Sequence, residues 1–246
     1  MTSARKAVVT GGSKGIGLAT AGALVADGHH VVITGRNVDG LVAAQNSLGG
    51  REQVSILELD ARDRSAAHDA LAALAPDILI ANVGTGFSGS IRDTSWEDWE
   101  RVLDTNVTTA FTAIRAVLDG MLDRSWGRIV TVGSLASHRG IKYGAAYTAS
   151  KHALLGLTRA VAADVAGSGV TCNLVAPAFV RTEMTTLNAE RMTANGKRTV
   201  AQAEEQLGRV STLGRLLEPE EVAHEVIAFV RDHERNGELT VLGDLA

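Results

Sequence analysis

An α/β fold, a doubly wound parallel sheet of about seven strands with helices on both faces, is what three features of this sequence predict. Short β-branched runs alternate from end to end with segments rich in alanine and leucine. The runs are apolar throughout rather than at every second residue, which indicates burial on both faces of the sheet. A glycine-rich turn, Thr10-Gly11-Gly12-Ser13-Lys14-Gly15-Ile16-Gly17, joins the first run to the first helical segment.

In order, the strand-like runs are Lys6–Thr10, His30–Thr34, Gln53–Leu59, Asp77–Ala81, Gly127–Val132, Val170–Val175 and Glu238–Leu242. Helical segments lie between them near Gly15–Gly28, Val38–Leu48, Ser65–Leu74, Trp96–Asp123, Tyr147–Gly167 and Pro219–Val230. Strands that alternate with helices are the mark of βαβ units. A length of 246 residues suits one such domain. With no internal repeat, linker or low-complexity stretch, residues 1–246 read as a single domain.

Composition narrows the function. A hydrophobic content of 45% supplies a large core, and 21% charged residues is ordinary for a soluble globular chain. A net charge of −4 and no basic stripe argue against a nucleic-acid partner. No apolar run is long enough to span a membrane, and the polar start of the chain has no secretory signal pattern, so a cytoplasmic location is expected. The single cysteine, Cys172, cannot form an intramolecular disulfide and has no metal-ligand neighbours at useful spacing. It is expected in a buried strand, and no metal site is expected.

Chemistry-bearing residues fall at the ends of the strands. Glycines at 11, 15 and 17, after a strand and opening a helix, let backbone N–H groups approach a pyrophosphate at the positive end of that helix. This makes the expected fold Rossmann-type. About twenty residues further on, an acidic residue would hold the ribose 2′-hydroxyl of NAD. Thr34-Gly35-Arg36 stands there instead. Arg36 with Lys14 would suit a 2′-phosphate, which points to NADPH/NADP+, although Lys14 alone is also read as a solvated loop lysine. Asp60 is read either as a helix cap or strand-end turn, or as a partner for an adenine amino group. Ala81-Asn82-Val83-Gly84 forms a small-residue turn where backbone can lie close to a ligand. Asn106 interrupts a helical segment and is either solvent-facing or functional. Ser134 ends the fifth strand on the crevice side, without the Gly-x-Ser-x-Gly elbow of a hydrolase. His138 and His152 are expected at the surface or behind the site rather than as catalytic bases.

Tyr147 and Lys151 lie four residues apart in a helical segment and share one face. An ammonium about 4 Å from a phenolate is worth roughly 4 kcal/mol at an effective dielectric of about 20. That would bring a phenol, with a free pKa of about 10, toward the range useful for proton transfer. Such a pair is also common on exposed helices, so its meaning depends on the residues around it.

Taken together, the glycine loop at 10–17, Asp60, Asn82-Val83-Gly84, Asn106, Ser134, Tyr147 and Lys151 resemble the short-chain dehydrogenase/reductase family. The resemblance extends through Val175-Ala176-Pro177-Ala178-Phe179-Val180-Arg181-Thr182 and Leu213–Val222, and so covers nearly the whole chain. Within the family it is most similar to bacterial 3-oxoacyl-thioester ketoreductases. The resemblance implies Tyr147 as general acid, Lys151 lowering its pKa and holding the nicotinamide ribose, Ser134 orienting the carbonyl, and Asn106 holding a relay water. It implies a cofactor site of Gly11, Ser13, Lys14, Gly15, Ile16, Gly17, Arg36, Asp60, Ala61, Asn82, Gly84, Tyr147, Lys151, Pro177, Val180 and Thr182.

Several positions depart from the family pattern. Ala81 replaces the first residue of Asn-Asn-Ala-Gly, implying loss of a strand-bracing bond, and Ala178 replaces a common glycine. Ser168 stands where an arginine is common in carrier-protein reductases, although Arg124 remains. The polar stretch at about 181–212 is expected to form a substrate lid, with Met184, Leu187 and Met192 on its underside, the alternative being a solvated helical pair with ordinary surface charges. The expected reaction is NADPH-dependent reduction of a small-molecule carbonyl substrate, in one form an acyl thioester. Oxidation of an alcohol or 3-hydroxyacyl-CoA is the alternative, and a non-catalytic dinucleotide-binding protein a weaker one. A homotetramer or homodimer, built on the helices at about 96–123 and 147–167, is the expected assembly.

Overall fold

The β-branched runs form seven strands: β1 (Lys6–Thr10), β2 (His30–Gly35), β3 (Val54–Glu58), β4 (Ile78–Ala81), β5 (Gly127–Val132), β6 (Val170–Pro177) and β7 (Leu239–Leu242). They pair in parallel in the order β3-β2-β1-β4-β5-β6-β7. The computed structural model describes residues 4–193 and 199–244. Every residue of β4, β5 and β6 is buried, which is why these strands carry continuous rather than alternating apolar residues.

Nine helices are described: α1 (Gly15–Ala26), α2 (Val38–Ser47), α3 (Arg64–Leu74), α4 (Trp96–Leu103), α5 (Thr109–Asp123), α6 (Ala145–Asp164), α7 (Glu183–Thr193), α8 (Val200–Arg209) and α9 (Pro219–Arg231). One face of the sheet packs Val9, Ile33 and Val130 against Leu24 of α1, Leu41 of α2 and Phe229 of α9. The opposite face packs Val8, Leu79, Ile129 and Cys172 against Leu71 of α3, Val117 and Met121 of α5 and Val161 of α6. Val8 and Val9 thus feed different cores, as the two-residue period of a strand requires. Polar caps set the helix starts: Asn37, Asp63 and Ser95 accept from Gly40 N, Ala66 N and Asp98 N at 2.8, 3.1 and 3.0 Å.

The strand order reverses between β1 and β4, which opens a crevice at their carboxyl ends. Apart from Asn106, and Pro177 as the last residue of β6, every predicted site residue lies in a turn beyond a strand end or in the first turns of a helix there. Two expectations change. The segment Trp96–Asp123 is not one α-helix, because a π-helical turn, Asp104–Thr108, separates α4 from α5. Its wider winding turns Asn106 inward, where it is fully buried, so the solvent-facing reading fails. Cys172 is buried in β6, and burial pushes its thiol up to about 12.

Beyond β6, α7 and α8 share a small core of Ala189, Ala203, Leu207 and Leu216, with Phe179, Met192 and Val200 against it. Met192 therefore faces this core rather than an underside over the crevice. Lys197 and Arg198, also in the expected lid, lie outside the described residues. Among the described residues no helix is long and apolar enough to cross a membrane, and no cluster of His, Cys, Asp and Glu could hold a metal ion.

Candidate active site

The glycine turn is built by close backbone approach. Gly15 has φ +53°, a region that L side chains avoid. A Cβ at Gly17 would lie 2.3 Å from Gly11 O and 2.7 Å from Asn82 Nδ2, so only glycine lets α1 start this near the turn. The first N–H groups of α1 have no intrahelical acceptor and sit at its positive end. Ile16 and Ser13 are half-buried around this cradle, and Ser13 Oγ reaches the end of β2, 3.7 Å from a Cβ built on Gly35. Asn82 fixes the turn from β4, donating from Nδ2 to Thr10 O at 3.0 Å and Gly11 O at 3.1 Å, while its N–H donates to Thr10 Oγ1 at 3.0 Å. The brace expected to be lost with Ala81 is thus supplied one residue later.

Around the turn lie the groups that would meet the rest of a dinucleotide. Arg36 is exposed just past β2, where no carboxylate stands. Lys14, also exposed, forms an ion pair with Glu183 at the start of α7. Asp60 does not cap α3, a role that belongs to Asp63. Its carboxylate instead accepts from Arg62 Nη2 at 2.9 Å, Nε at 3.3 Å and N at 3.0 Å, in a strand-end turn that also holds Ala61. The Arg62 hydrogen bonds hold the Asp60 carboxyl below the usual carboxylate range. Arg62 escaped the sequence reading, although a carboxylate and a guanidinium two residues apart in a turn are a legible pair.

Ser134 leaves β5 and caps the short 3₁₀ turn Leu135–Ser137, accepting from Ala136 N at 3.3 Å, while Ser137 Oγ accepts from Ser134 N at 3.2 Å. Tyr147 lies in the first turn of α6, half-buried, where the Ser134 side chain acts on its hydroxyl. One turn on, Lys151 is only 5% exposed; its Nζ donates to Val132 O at 3.0 Å and lies 5.8 Å from the centre of the Tyr147 ring. Burial pulls the Lys151 ammonium down to about 8. Burial also raises the Tyr147 phenol. Desolvation is thus the largest influence on the phenol, with Ser134 acting against it.

Asn106 ties the loop after β4 to α6. Its Oδ1 accepts from Thr85 N at 2.7 Å, and its Nδ2 donates to Thr85 O at 3.1 Å and to Ser150 Oγ at 2.9 Å. Ser150 Oγ in turn donates to Tyr147 O at 2.7 Å. Ser150, buried beside Lys151, also escaped the sequence reading, because a serine in a helix carries no signal of its own. Gly84 sits where these groups converge: a Cβ there would lie 3.3 Å from Asn106 Oδ1 and 3.6 Å from Lys151 Nζ.

Beyond the buried Pro177, Val180 forms a β-bridge to Leu217, and Thr182 Cγ2 lies 3.1 Å from a Cβ built on Gly15. The loop after β6 is thereby laid against the glycine turn. Met184 covers Gly86, with Sδ 3.6 Å from a Cβ built there, and Leu187 is exposed. Across the mouth, Gly89 N donates to Tyr143 O at 2.7 Å, and Tyr143 has φ +60°. His152 is exposed and His138 faces Asp244 at 3.8 Å, so neither meets Tyr147. Arg124 donates to Pro76 O at 2.8 Å and pairs with Asp77 at 3.3 Å.

The family model for short chain dehydrogenases matches residues 5–193. A 3-oxoacyl-acyl-carrier-protein reductase of Vibrio cholerae is 35% identical over 234 residues, covering 93% of this chain and 90% of its own. A D-beta-hydroxybutyrate dehydrogenase of Rhizobium meliloti is 33% identical over 211 residues, 82% of this chain and 80% of its own. An actinorhodin polyketide ketoreductase solved with NADPH superposes with a TM-score of 0.92 at 28% identity, covering 99% of this chain and 97% of the other. A cradle that one Cβ at Gly17 would fill, free N–H groups at a helix start and a buried Lys151 beside Gly84 all fit a nicotinamide dinucleotide. The chain belongs to the short-chain dehydrogenase/reductase family of oxidoreductases.

Proposed function

We propose that this protein is an NADPH-dependent ketoreductase that reduces a small carbonyl compound, with Tyr147 Oη delivering the proton. The observation that carries the reading is buried Lys151, its Nζ on Val132 O one turn after Tyr147, with Ser134 at the end of the same strand, at the carboxyl edge beside the glycine cradle. When bound, the nicotinamide supplies the hydride. Ser134 Oγ and Tyr147 Oη both reach the carbonyl oxygen, orient it and stabilise the charge that develops on it. Tyr147 Oη gives its proton to that oxygen, and the Lys151 ammonium stabilises the phenolate left behind. Asn106 and Ser150 hold Tyr147 and the loop after β4 in register; the Tyr147 phenolate is reprotonated by way of Lys151, which recovers its proton from a water on Asn106. The glycine turn with Ser13 holds the pyrophosphate, Asp60 and Ala61 the adenine, Thr182 and Val180 the nicotinamide, and Arg36 with Lys14 the 2′-phosphate.

Substrate class follows from the mouth. Met184 over Gly86 and the exposed Leu187 and Tyr143 suit the hydrocarbon part of a ketone or acyl thioester. Engagement of Arg124 with Asp77 and Pro76 counts against its use in docking a carrier protein. Residues 181–212 act as the lid. Exposed Trp96 and Phe111 on α4 and α5 support assembly through these helices, as a dimer or tetramer that light scattering would reveal.

Two measurements test the reading. Tyr147→Phe is expected to abolish NADPH oxidation with a panel of 3-oxoacyl thioesters, cyclic ketones and sugars; unchanged turnover would overturn the mechanism. Arg36→Ala is expected to weaken NADPH use and spare NADH. Equal use of both cofactors by the wild type, with a harmless Arg36→Ala, would refute the cofactor assignment. The same groups serve alcohol oxidation in reverse, a second reading that the D-beta-hydroxybutyrate dehydrogenase relative favours.

A further inference from the structure

The ion pair between Lys14 and Glu183 joins two parts of the molecule that the proposed function uses separately. Lys14 is the cation of the glycine turn and the N-cap of α1, while Glu183 is the first residue of the first lid helix. Both side chains are well exposed, at 71% and 61%, so the pair spans an open cleft and adds nothing to a core. Thr182 lies on Gly15 at the same point, which places the contact over the turn that would cradle the pyrophosphate. Among the described residues, Glu183 is the one carboxylate within ion-pair distance of Lys14. Arg36, the other cation offered to a 2′-phosphate, is exposed past β2.

We propose that Glu183 is a specificity-determining residue whose carboxylate competes with the cofactor 2′-phosphate for Lys14. The proposal rests on the NADPH reading above. One ammonium neutralises one close anion well. A phosphate monoester, with a charge of about −1.5 to −2 at neutral pH, must displace the carboxylate or bind beside it against like-charge repulsion. A 2′-hydroxyl carries no charge and needs no part of Lys14, so competition for Lys14 falls on the phosphorylated cofactor, while any repulsion of the pyrophosphate is common to both. Once released, the carboxylate stays in the first turn of α7, where a helix start favours an anion. The start of the lid is thereby freed from the glycine turn when, and only when, a 2′-phosphate arrives.

Calorimetric titration of 2′,5′-ADP and 5′-AMP into the wild type, Glu183→Gln, Lys14→Met and the double variant at low salt tests this. Glu183→Gln is expected to tighten 2′,5′-ADP by about two- to fivefold, the range of an exposed ion pair, and to leave 5′-AMP unchanged. The gain should shrink at high salt and vanish in the Lys14→Met background. Equal tightening of both nucleotides, or of neither, overturns the competition. If the wild type prefers 2′,5′-ADP and loses that preference on Lys14→Met or Arg36→Ala, while Glu183→Gln changes nothing, the competition alone falls. If the wild type shows no preference and Arg36→Ala is silent, the NADPH reading falls and the competition with it.

Discussion

Lys151 is held as a buried cation, and that fact makes the stability of the protein depend on pH in a calculable way. Its folded pKa is lowered from 10.5 to about 8 by burial. The unfolded chain therefore binds more protons than the folded one between these values, and stability from this group rises with pH across that window. Keeping the charge buried at neutral pH costs about 3 kcal/mol, of which about 1 kcal/mol is recovered between about pH 7.5 and about pH 9. Above about pH 9 the Cys172 thiol and the Tyr147 phenol, both raised by burial, work in the opposite direction, so the window should end there. The assay is urea unfolding of the wild type and Lys151→Met at several pH values within it. Absolute stability is a poor readout, because the variant also leaves Val132 O without its 3.0 Å donor, at about 1–3 kcal/mol. The difference between the two proteins is the readout: it should move by about 1 kcal/mol in favour of the wild type as pH rises. A difference that stays flat across the window refutes the buried-cation argument.

Three further outcomes are expected. Gly17→Ala should weaken nucleotide binding by at least about tenfold in calorimetry while far-UV circular dichroism stays unchanged, because the added Cβ falls 2.3 Å from Gly11 O. Ser150→Ala should destabilise the fold by about 1–3 kcal/mol in urea and lower kcat more than it changes KM, since Asn106 Nδ2 loses a buried acceptor and Tyr147 O its donor. Tyr147→Phe should retain nucleotide affinity in the same titration in which it loses turnover, because the phenol is assigned to the proton and not to the phosphates.

Most of the frame was legible in the sequence because parallel strands buried on both faces write themselves as unbroken apolar runs, and β4, β5 and β6 are such runs. The glycine turn was legible for a similar reason: Gly17 occupies a space that no side chain fits. What escaped was written in no local pattern. The π turn that buries Asn106 changes the winding of the chain without changing helix propensity. Ser150 matters only because Asn106, forty-four positions earlier, points at it. Glu183 meets Lys14 across 169 positions of sequence, and surface charges at that range carry no shared signal. Met192 was misplaced because an apolar residue in a polar helix faces some core, and the sequence does not say which one.

The protonation states at Tyr147 and Lys151 bear on the direction of the reaction. Reduction needs a phenol that still carries its proton, whereas oxidation needs a phenolate that can accept one. Burial raises the Tyr147 phenol and lowers Lys151 to about 8, so at neutral pH the site holds a neutral acid beside a cation. That is the resting state for proton delivery. It is the wrong one for proton removal. The ammonium contributes as the phenolate forms: at the 5.8 Å ring separation its attraction is worth about 3 kcal/mol at an effective dielectric of about 20, and it is absent once Lys151 is neutral. On the proposed mechanism, ketone reduction followed by NADPH absorbance should fall as pH rises through about 8, and alcohol oxidation should climb over the same range. Replacing Lys151 by arginine, which keeps its charge at every accessible pH, should remove the fall near pH 8 from whatever reductase activity survives. A reduction rate in the wild type that stays level through this range would refute the assignment of Lys151 as the charge that drives Tyr147.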